Sequence, residues 1–409
     1  MLACVMLLAL VSCTDVGNDN ESSSNVGNES VESDESSSLE SEANESEASN
    51  SELSEPETDE KEDEDMIFPK ESAQIVLAND EVYDWADTYR YGKTDSSPYY
   101  RHEDIYYPNP VTFSWEADEK ANYYRLFIST DELFAQGTTE SFLVNTNSLT
   151  LSHLYTGTKY YWFVTATDLT DDGGESNTSS VSTRSFTTAE SPRCLKIEGV
   201  SNTRDFGGYK TTDGYRLKQG MVYRGGKLED ISEESKEFIR NYLGIKTDFD
   251  LREFGEGGAG KVSPLGDDIN YINMAGRYYT GGISTDEGKA VMAQEFRVLA
   301  DPDNYPIYIH CSLGRDRTGT LVMLLQGLLG AKFNDMMIDY ELSVFSVTGT
   351  MDNVSIEQGR KVIKQTYDYI NNNYEGERFR DKVENYLLSI GITEEEIQTI
   401  RDLLLEEIK

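Results

Sequence analysis

The chain has 409 residues, and its 75 Asp and Glu against 36 Lys and Arg give a formal charge of -39. That balance excludes nucleic acid as a partner, because phosphate backbones select basic surfaces, although a locally basic pocket for a small anion is compatible with it. The three histidines, His102, His153 and His310, lack metal-ligand spacing, and no Walker-type loop or dinucleotide fingerprint is present, so neither metal nor cofactor is expected.

Met1 to Ser12 is almost wholly apolar and too short to cross a bilayer as a helix. A short apolar core followed by a small residue is the pattern of an export signal. The following Cys13 resembles the lipobox cysteine of bacterial lipoproteins, which implies a lipidated N-terminus on the extracellular face of the bacterial cell membrane; an ordinary cleaved signal and secretion is the alternative. Between Asp15 and Asp65 stand 20 acidic residues and one lysine, Lys61, among Ser and Asn. Such a stretch cannot bury enough apolar surface to offset its conformational entropy, so residues 14–65 are expected to be a disordered, self-repelling tether. Residues 66–107 are rich in Tyr, Asp and Ser, show no clear period and receive no assignment.

From residue 108 to 188 the texture is all-β. Val111 to Trp115 and Tyr123 to Ile128 alternate, Tyr160 to Ala166 is strongly strand-like, and turn residues separate the runs. Phe113-Ser114-Trp115 and Leu154 to Tyr160 resemble a fibronectin type III domain, in which a buried Trp and a corner Tyr occupy those places. The resemblance implies a β-sandwich that acts as a spacer or docks to a protein or surface glycan, without chemistry of its own.

After a short linker, Ala189 to Pro192, residues 193–409 alternate strand and helix signals, as α/β domains do. Helices are expected from a Ser232 cap to Leu243, over Gly288–Leu299 and over Thr318–Leu329, with about three more between Glu357 and Ile408. Strands are expected at Ile245–Leu251 and Ile307–His310. Gly255 to Gly260 reads as a flexible, lid-like loop.

The chemistry concentrates in Ile307 to Gly319. A strand ends in His310-Cys311, five residues intervene, and Arg317-Thr318-Gly319 opens a helix. A loop running into a helix N-terminus presents the N–H donors that a phosphate dianion needs, and Gly314 lets the backbone curl. In such a field a thiol pKa falls to about 3.5–7.5, which makes Cys311 a thiolate nucleophile. Arg317 offers a planar fork that matches two phosphate oxygens. Thr318 can hydrogen-bond the sulfur, and His310 orders the loop and tunes the thiolate. Ser312, Leu313, Gly314 and Arg315 complete the cradle. Cys311 and Cys194 could in principle pair, but one disulfide is no framework.

His-Cys-x5-Arg-Thr-Gly resembles the phosphate loop of protein tyrosine phosphatases and their dual-specificity relatives. Asn202-Thr203-Arg204-Asp205-Phe206-Gly207-Gly208-Tyr209, Tyr223 to Leu228, Asp250-Leu251-Arg252-Glu253, Asp339 to Ser343 and Val383 to Leu388 fit the bacterial members, in order, over nearly all of residues 193–409. The resemblance implies hydrolysis of phosphate monoesters through a phosphocysteine on Cys311. The implied substrates are phosphotyrosine, with phosphoserine, phosphothreonine and phosphoinositides as further classes. The proton donor is open between Asp250 and Asp316, and Asp250 is preferred because it ends a predicted strand at the ligand crevice. Arg315 stands where phosphoinositide-active relatives often carry Lys; a doubly basic loop that suits substrates with more than one phosphate and pairing of Arg315 with Asp316 or an outside acid are equal alternatives. Arg204, Asp205 and Arg224 are expected to brace the loop or line its rim, with a purely structural ion-pair network as the equal alternative. Tyr278 and Tyr279 are candidates to wall a slot, although surface or core aromatics are the commoner outcome. Capture of phosphorylated ligands without turnover and a rhodanese-like sulfur transfer are the competing readings. A pure binder has no need of a reactive thiol, and rhodanese loops generally lack this frame. The expected architecture is multidomain: a disordered N-terminal tether, an all-β fibronectin type III-like sandwich and a C-terminal α/β tyrosine-phosphatase-like domain.

Overall fold

The computed structural model describes residues 69–90, 106–169, 175–180, 182–346 and 353–408. Cys13, expected to carry lipid, and residues 14–65, expected to form the tether, lie outside these residues.

Segment 66–107, which has no periodic signal, contributes a strand, β1 (Ala73–Ile75), and a helix, α1 (Asp80–Arg90). Seven strands follow: β2 (Val111–Ser114), β3 (Tyr123–Ser129), β4 (Thr139–Val144), β5 (Ser148–Leu151), β6 (Lys159–Leu169), β7 (Glu175–Ser180) and β8 (Arg184–Thr188). One sheet runs β1-β8-β6-β3-β4 with β7 also on β6, and β2 pairs with β5 in a second. Alternation on β2 and β5 turns Val111, Phe113, Leu149 and Leu151 inward, and they share one core with Leu126, Trp162 and Phe186. The Tyr160 hydroxyl accepts from the Tyr155 N–H at 2.8 Å, pinning the corner before β6.

The remaining elements build the α/β half. In chain order they are β9 (Arg204–Asp205), β10 (Tyr215–Leu217), β11 (Val222–Gly225), α2 (Glu233–Glu237), β12 (Thr247–Asp250), β13 (Asn270–Asn273), α3 (Tyr279–Ser284), α4 (Asp286–Leu299), β14 (Ile307–His310), α5 (Asp316–Leu328), α6 (Phe333–Glu341), α7 (Asn353–Asn373), α8 (Phe379–Ser389), α9 (Glu394–Leu404) and β15 (Leu405–Glu407). The main sheet has the order β13-β12-β14-β11-β9. It is parallel except for β9. All four residues of β14 are buried, as a central parallel strand requires. His310 stands in register with Asp250 on one side and Gly225 on the other, so three strand ends meet where the Cys311 loop begins.

Helix α5 is buried from Thr318 to Leu328, which explains its apolar run: it is the central helix of the domain rather than a surface one. Ser232 caps α2 as expected, but after Glu237 the chain widens into a π-type turn over Phe238–Tyr242. Helix α4 starts at Asp286 because Thr285, whose hydroxyl accepts from the Gly288 N–H, is its cap.

The β and α/β halves are docked, not strung. Ser191 and Pro192 of the linker are buried. Arg193, also buried, donates to the carbonyls of Leu154 (3.2 Å) and His153 (2.6 Å) and to the Asp205 carboxylate (2.6 Å). Its guanidinium lies 4.4 Å from the Tyr155 ring centre. Gln219 and Thr156 bond reciprocally across the same junction. Strand β1 sits parallel on β8 while α1 packs into the α/β core, with Trp85 edge-on to Phe345 at 4.9 Å. One short segment therefore ties both halves together.

Two predictions arise here. Arg193→Met strands Asp205 in the interior and is expected to lower unfolding stability by about 3–5 kcal/mol; a loss below about 1 kcal/mol in urea unfolding would show that apolar contacts alone hold the junction. Glu295 on α4 is 1% exposed, has no hydrogen-bond partner among the described residues, and burial pushes its pKa from the ordinary 4.5 up to about 8. Between those two pH values the unfolded chain has released a proton that the folded chain keeps, so stability falls as pH rises through the window. Unfolding measured from pH 4.5 to 8 is expected to show a flatter profile for Glu295→Gln than for the parent, and parallel profiles would refute the assignment.

Candidate active site

The loop leaves β14 at Cys311 and enters α5 at Asp316, and its carbonyls are drawn outward one after another. His310 Nδ1 lies 3.2 Å from the Cys311 carbonyl. The Lys227 N–H donates to Ser312 O at 3.2 Å. Asn202 Nδ2 donates to Leu313 O at 2.9 Å, and Arg224 Nη2 to Gly314 O at 2.7 Å. With the carbonyls held outside, the loop's N–H groups are left for the space it encloses, at the positive end of a 13-residue helix. Gly314 is at φ 67°, and a Cβ there would come within 2.1 Å of Gly225 O, so only glycine fits. Cys311 is buried at the foot of this cradle, and both it and Cys194 are free thiols, so they form no disulfide.

The groups that pull the loop outward are themselves pinned by one carboxylate. Asp339 on α6 accepts from Arg204 Nε at 3.1 Å and from Arg224 Nη1. Arg204 also donates to Asp339 O at 2.6 Å and to the Asn202 side chain at 2.5 Å. All three charged groups are at most 1% exposed, so two guanidinium ions share one carboxylate and leave a positive surplus beneath the loop. Burial and the neighbouring Arg204 pull the Arg224 pKa down. Asp205, expected beside these arginines at the loop, instead faces the β half, accepting from Arg193 and from the N–H groups of Gly207 and Gly220, each at 2.7 Å for the amides.

His310 places Nε2 2.8 Å from Asp248, whose other oxygen takes the Ser263 hydroxyl at 2.7 Å. Burial drives the His310 pKa down, but Asp248 and Asp250 outweigh it and the net direction is up. A doubly protonated ring donates to both Asp248 and the Cys311 carbonyl and adds positive charge next to the thiol.

The two candidate proton donors differ sharply. Asp250 is fully buried. Its oxygens accept from Arg252 Nε (2.9 Å), Nη2 (2.7 Å) and N (3.0 Å) and from the Tyr271 hydroxyl (2.9 Å). Burial pushes its pKa up, yet the Arg252 bonds and His310 prevail and the net direction is down. Surroundings of this kind favour the anion, which speaks against the strand-end preference for Asp250. Asp316 is half-exposed on the first turn of α5, and one oxygen accepts from the Tyr279 hydroxyl.

Arg315 does not point into the cradle. It is 3% exposed and lies 5.3 Å over the Tyr340 ring, and a Cβ on Gly359 of α7 would come within 2.0 Å of its Nη2. The loop therefore offers substrate one guanidinium rather than two. Leu313 and Tyr278 are exposed, while Tyr279 is half-buried. The Thr318 hydroxyl is buried and hydrogen-bonds nothing among the described residues, the thiol included.

Arg317 reveals a group that sequence reasoning passed over. Its Nη1 and Nη2 reach the two oxygens of Glu256 at 2.8 and 2.7 Å, and the Ser312 hydroxyl adds a third bond to that carboxylate at 2.7 Å. The Arg317 hydrogen bonds lower the Glu256 pKa from 4.5 to about 2. A carboxylate thus takes the bidentate fork and the loop hydroxyl that a phosphate needs. Glu256 rides in a run where Gly255, Gly257 and Gly258 all have positive φ, a backbone path closed to other residues. The signal in the sequence was an acid inside that glycine run.

With this geometry in place, comparison with known proteins is informative. A family model described as the tyrosine phosphatase family matches residues 195–406. A protein of Cupriavidus necator named as a tyrosine-protein phosphatase is 25% identical over 169 residues, 36% of this chain and 61% of that one. One of Dictyostelium discoideum, similarly named, is 45% identical over 38 residues, 9% of this chain and 23% of its own. The chain thus spans less than two thirds of either relative. Among solved structures, the core catalytic domain of the PP-IP phosphatase SIW14 from S. cerevisiae has 18% identity and TM-score 0.26, covering 36% of this chain and 80% of that one. PTPMT1 in complex with PI(5)P has 12% identity and TM-score 0.22, with coverages of 44% and 97%.

Glu256→Gln keeps the shape of the side chain and removes its charge. Calorimetric titration at neutral pH is expected to show orthophosphate binding tightened about two- to fivefold, the worth of a half-exposed ion pair. Unchanged affinity would mean that the carboxylate does not compete for the anion's place.

Proposed function

The chain belongs to the tyrosine phosphatase family, and on that footing we propose that it hydrolyses phosphate monoesters through a phosphocysteine on Cys311. The observation that carries the reading is the cradle itself: four successive carbonyls, from Cys311 to Gly314, are tied outward around a buried thiol beside the Arg317 fork. Substrate phosphate displaces the Glu256 carboxylate and takes its two bonds from Arg317. The Cys311 thiolate attacks phosphorus, an S–P bond forms, the ester P–O bond breaks, and Asp316 protonates the departing oxygen. Water then attacks phosphorus and returns a proton to Asp316. The S–P bond breaks, and Thr318 and the charge on His310 ease the departure of the thiolate. Ser312, Leu313 and Gly314 supply the anion cradle, while Arg204 and Arg224 act through the backbone.

Phosphotyrosine is the leading substrate class, supported by family membership; phosphoserine, phosphothreonine and phosphoinositides follow. The packing of Arg315 against Tyr340 speaks against a requirement for a second phosphate. For residues 108–188 we propose a fibronectin type III-like spacer that docks a protein or surface glycan, supported by the buried Trp115 and the Tyr160 corner. On the sequence pattern alone, Cys13 is the lipid anchor and residues 14–65 the tether that hold the enzyme outside the bacterial membrane.

Hydrolysis by the full chain, in EDTA and reductant, is expected to vanish in Cys311→Ser and to fall at least about a hundredfold in Arg317→Lys, which cannot fork. Asp316→Asn is expected to cost about 10²–10⁴-fold on phenyl phosphate, whose leaving group needs a proton, and much less on p-nitrophenyl phosphate. Turnover that survives Cys311→Ser would sink the phosphocysteine route. If Asp250→Asn rather than Asp316→Asn showed that leaving-group dependence, the acid would be Asp250.

A further inference from the structure

Tyr279 is the first residue of α3 and has a backbone φ of 57°, a left-handed conformation rare for an aromatic residue. A conformation this costly persists only where its surroundings over-determine it, and such residues gather at functional sites. Here the surroundings are a closed ring on the first turn of α5. The Tyr279 N–H donates to Thr320 Oγ1 at 2.9 Å, and that hydroxyl donates to Asp316 O at 2.8 Å. The phenol at the other end of the same residue donates to the Asp316 carboxylate. Tyr279 thus grips Asp316 by both its backbone and its side chain.

A second tyrosine holds the first. The Tyr340 hydroxyl is 2.7 Å from that of Tyr279. Tyr340 itself has no room to move: it is 1% exposed, and Arg315 covers its ring. On its other side, a Cβ at Gly319 would come within 2.8 Å of its Cδ2. The requirement for glycine after Thr318 follows from this contact. From β11, Arg224 completes the charged surroundings of Tyr340.

We infer that Tyr279, backed by Tyr340, is the positioning residue of the proton donor: it sets where the Asp316 carboxyl points. The inference rests on Asp316 being the acid. Burial and the facing Tyr340 and Asp316 raise the Tyr279 pKa, so the phenol keeps its proton and donates it in a hydrogen bond. That bond holds the carboxyl in place, and removing it frees the carboxyl to turn away from the leaving oxygen.

The test is hydrolysis of phenyl phosphate and p-nitrophenyl phosphate by the full chain carrying Tyr279→Phe, Tyr340→Phe or Asp316→Asn, each checked for unchanged melting temperature. Tyr279→Phe is expected to lower kcat on phenyl phosphate about tenfold with KM unchanged, part of what a general acid contributes. The loss on p-nitrophenyl phosphate, whose leaving group needs no proton, should be much smaller. Tyr340→Phe, which keeps the ring packing, should show the same leaving-group dependence to a smaller degree. Adding Tyr279→Phe to Asp316→Asn should cost nothing further. Equal losses on phenyl and p-nitrophenyl phosphate, or a further loss in the double variant, would overturn the inference and leave Tyr279 a packing residue. If Asp316→Asn alone showed no leaving-group dependence, the acid assignment would fall, and the inference with it.

Discussion

Everything at the site depends on one buried carboxylate. Asp339 holds Arg204 and Arg224 together, and those arginines and Asn202 hold the carbonyls of the phosphate loop. Two like charges in an interior closed to water repel strongly unless an anion stands between them. Losing that anion would leave both unpaired, a defect of about 3–5 kcal/mol. The network stabilises a loop shape that is costly on its own: a tight curl with its donors turned inward and nothing in it but glycine able to make the turn at Gly314. The same charges leave a net positive field under Cys311. Rigidity of the loop and attraction for an anion are thus one interaction seen from two sides.

The chain itself supplies an anion to that field. Glu256 meets Arg317 and Ser312 with the geometry of a phosphate, and its low pKa keeps it ionised at any physiological pH. Arg317 is held in its fork orientation by this contact and by the Leu251 carbonyl at 3.2 Å, so little rotamer entropy is left to lose when phosphate arrives. In the proposed mechanism phosphate, with more charge and three oxygens, competes with Glu256 for the same fork.

The β half is built into this arrangement more closely than a spacer on a flexible linker. Arg193 is buried at the junction, and Asp205, the residue after Arg204, is its partner. Tyr106, from the segment before the β strands, donates to Thr203 O and lies 3.4 Å from Arg204. The strand β9 therefore carries the loop brace on one residue and the interdomain bond on the next, because alternate residues of a strand face opposite sides.

The phosphate loop was legible because its chemistry is local: nucleophile, glycine, fork and helix start lie within nine consecutive residues, from Cys311 to Gly319, and a strand before with a helix after suffices to shape them. The alternating β runs, the Ser232 cap and the buried parallel strand were legible for the same reason. Segment 66–107 was not, since β1 exists only by pairing with β8, 113 residues later at Ala73↔Phe186. The roles of the acids were beyond the sequence as well. Asp250 and Asp316 are the same residue type, and position along the chain favoured the first; what separates them in the fold is Arg252 and Tyr271 around the first and Tyr279 around the second. Arg315 keeps its charge wherever it points, and it is the fold that sets it against Tyr340 and Gly359. The sequence by itself determined which atoms can do the chemistry, because that is a property of side chains and near neighbours. The tertiary structure alone decided which of them are left free to do it, because a buried charge takes its character from partners that the fold brings from far along the chain.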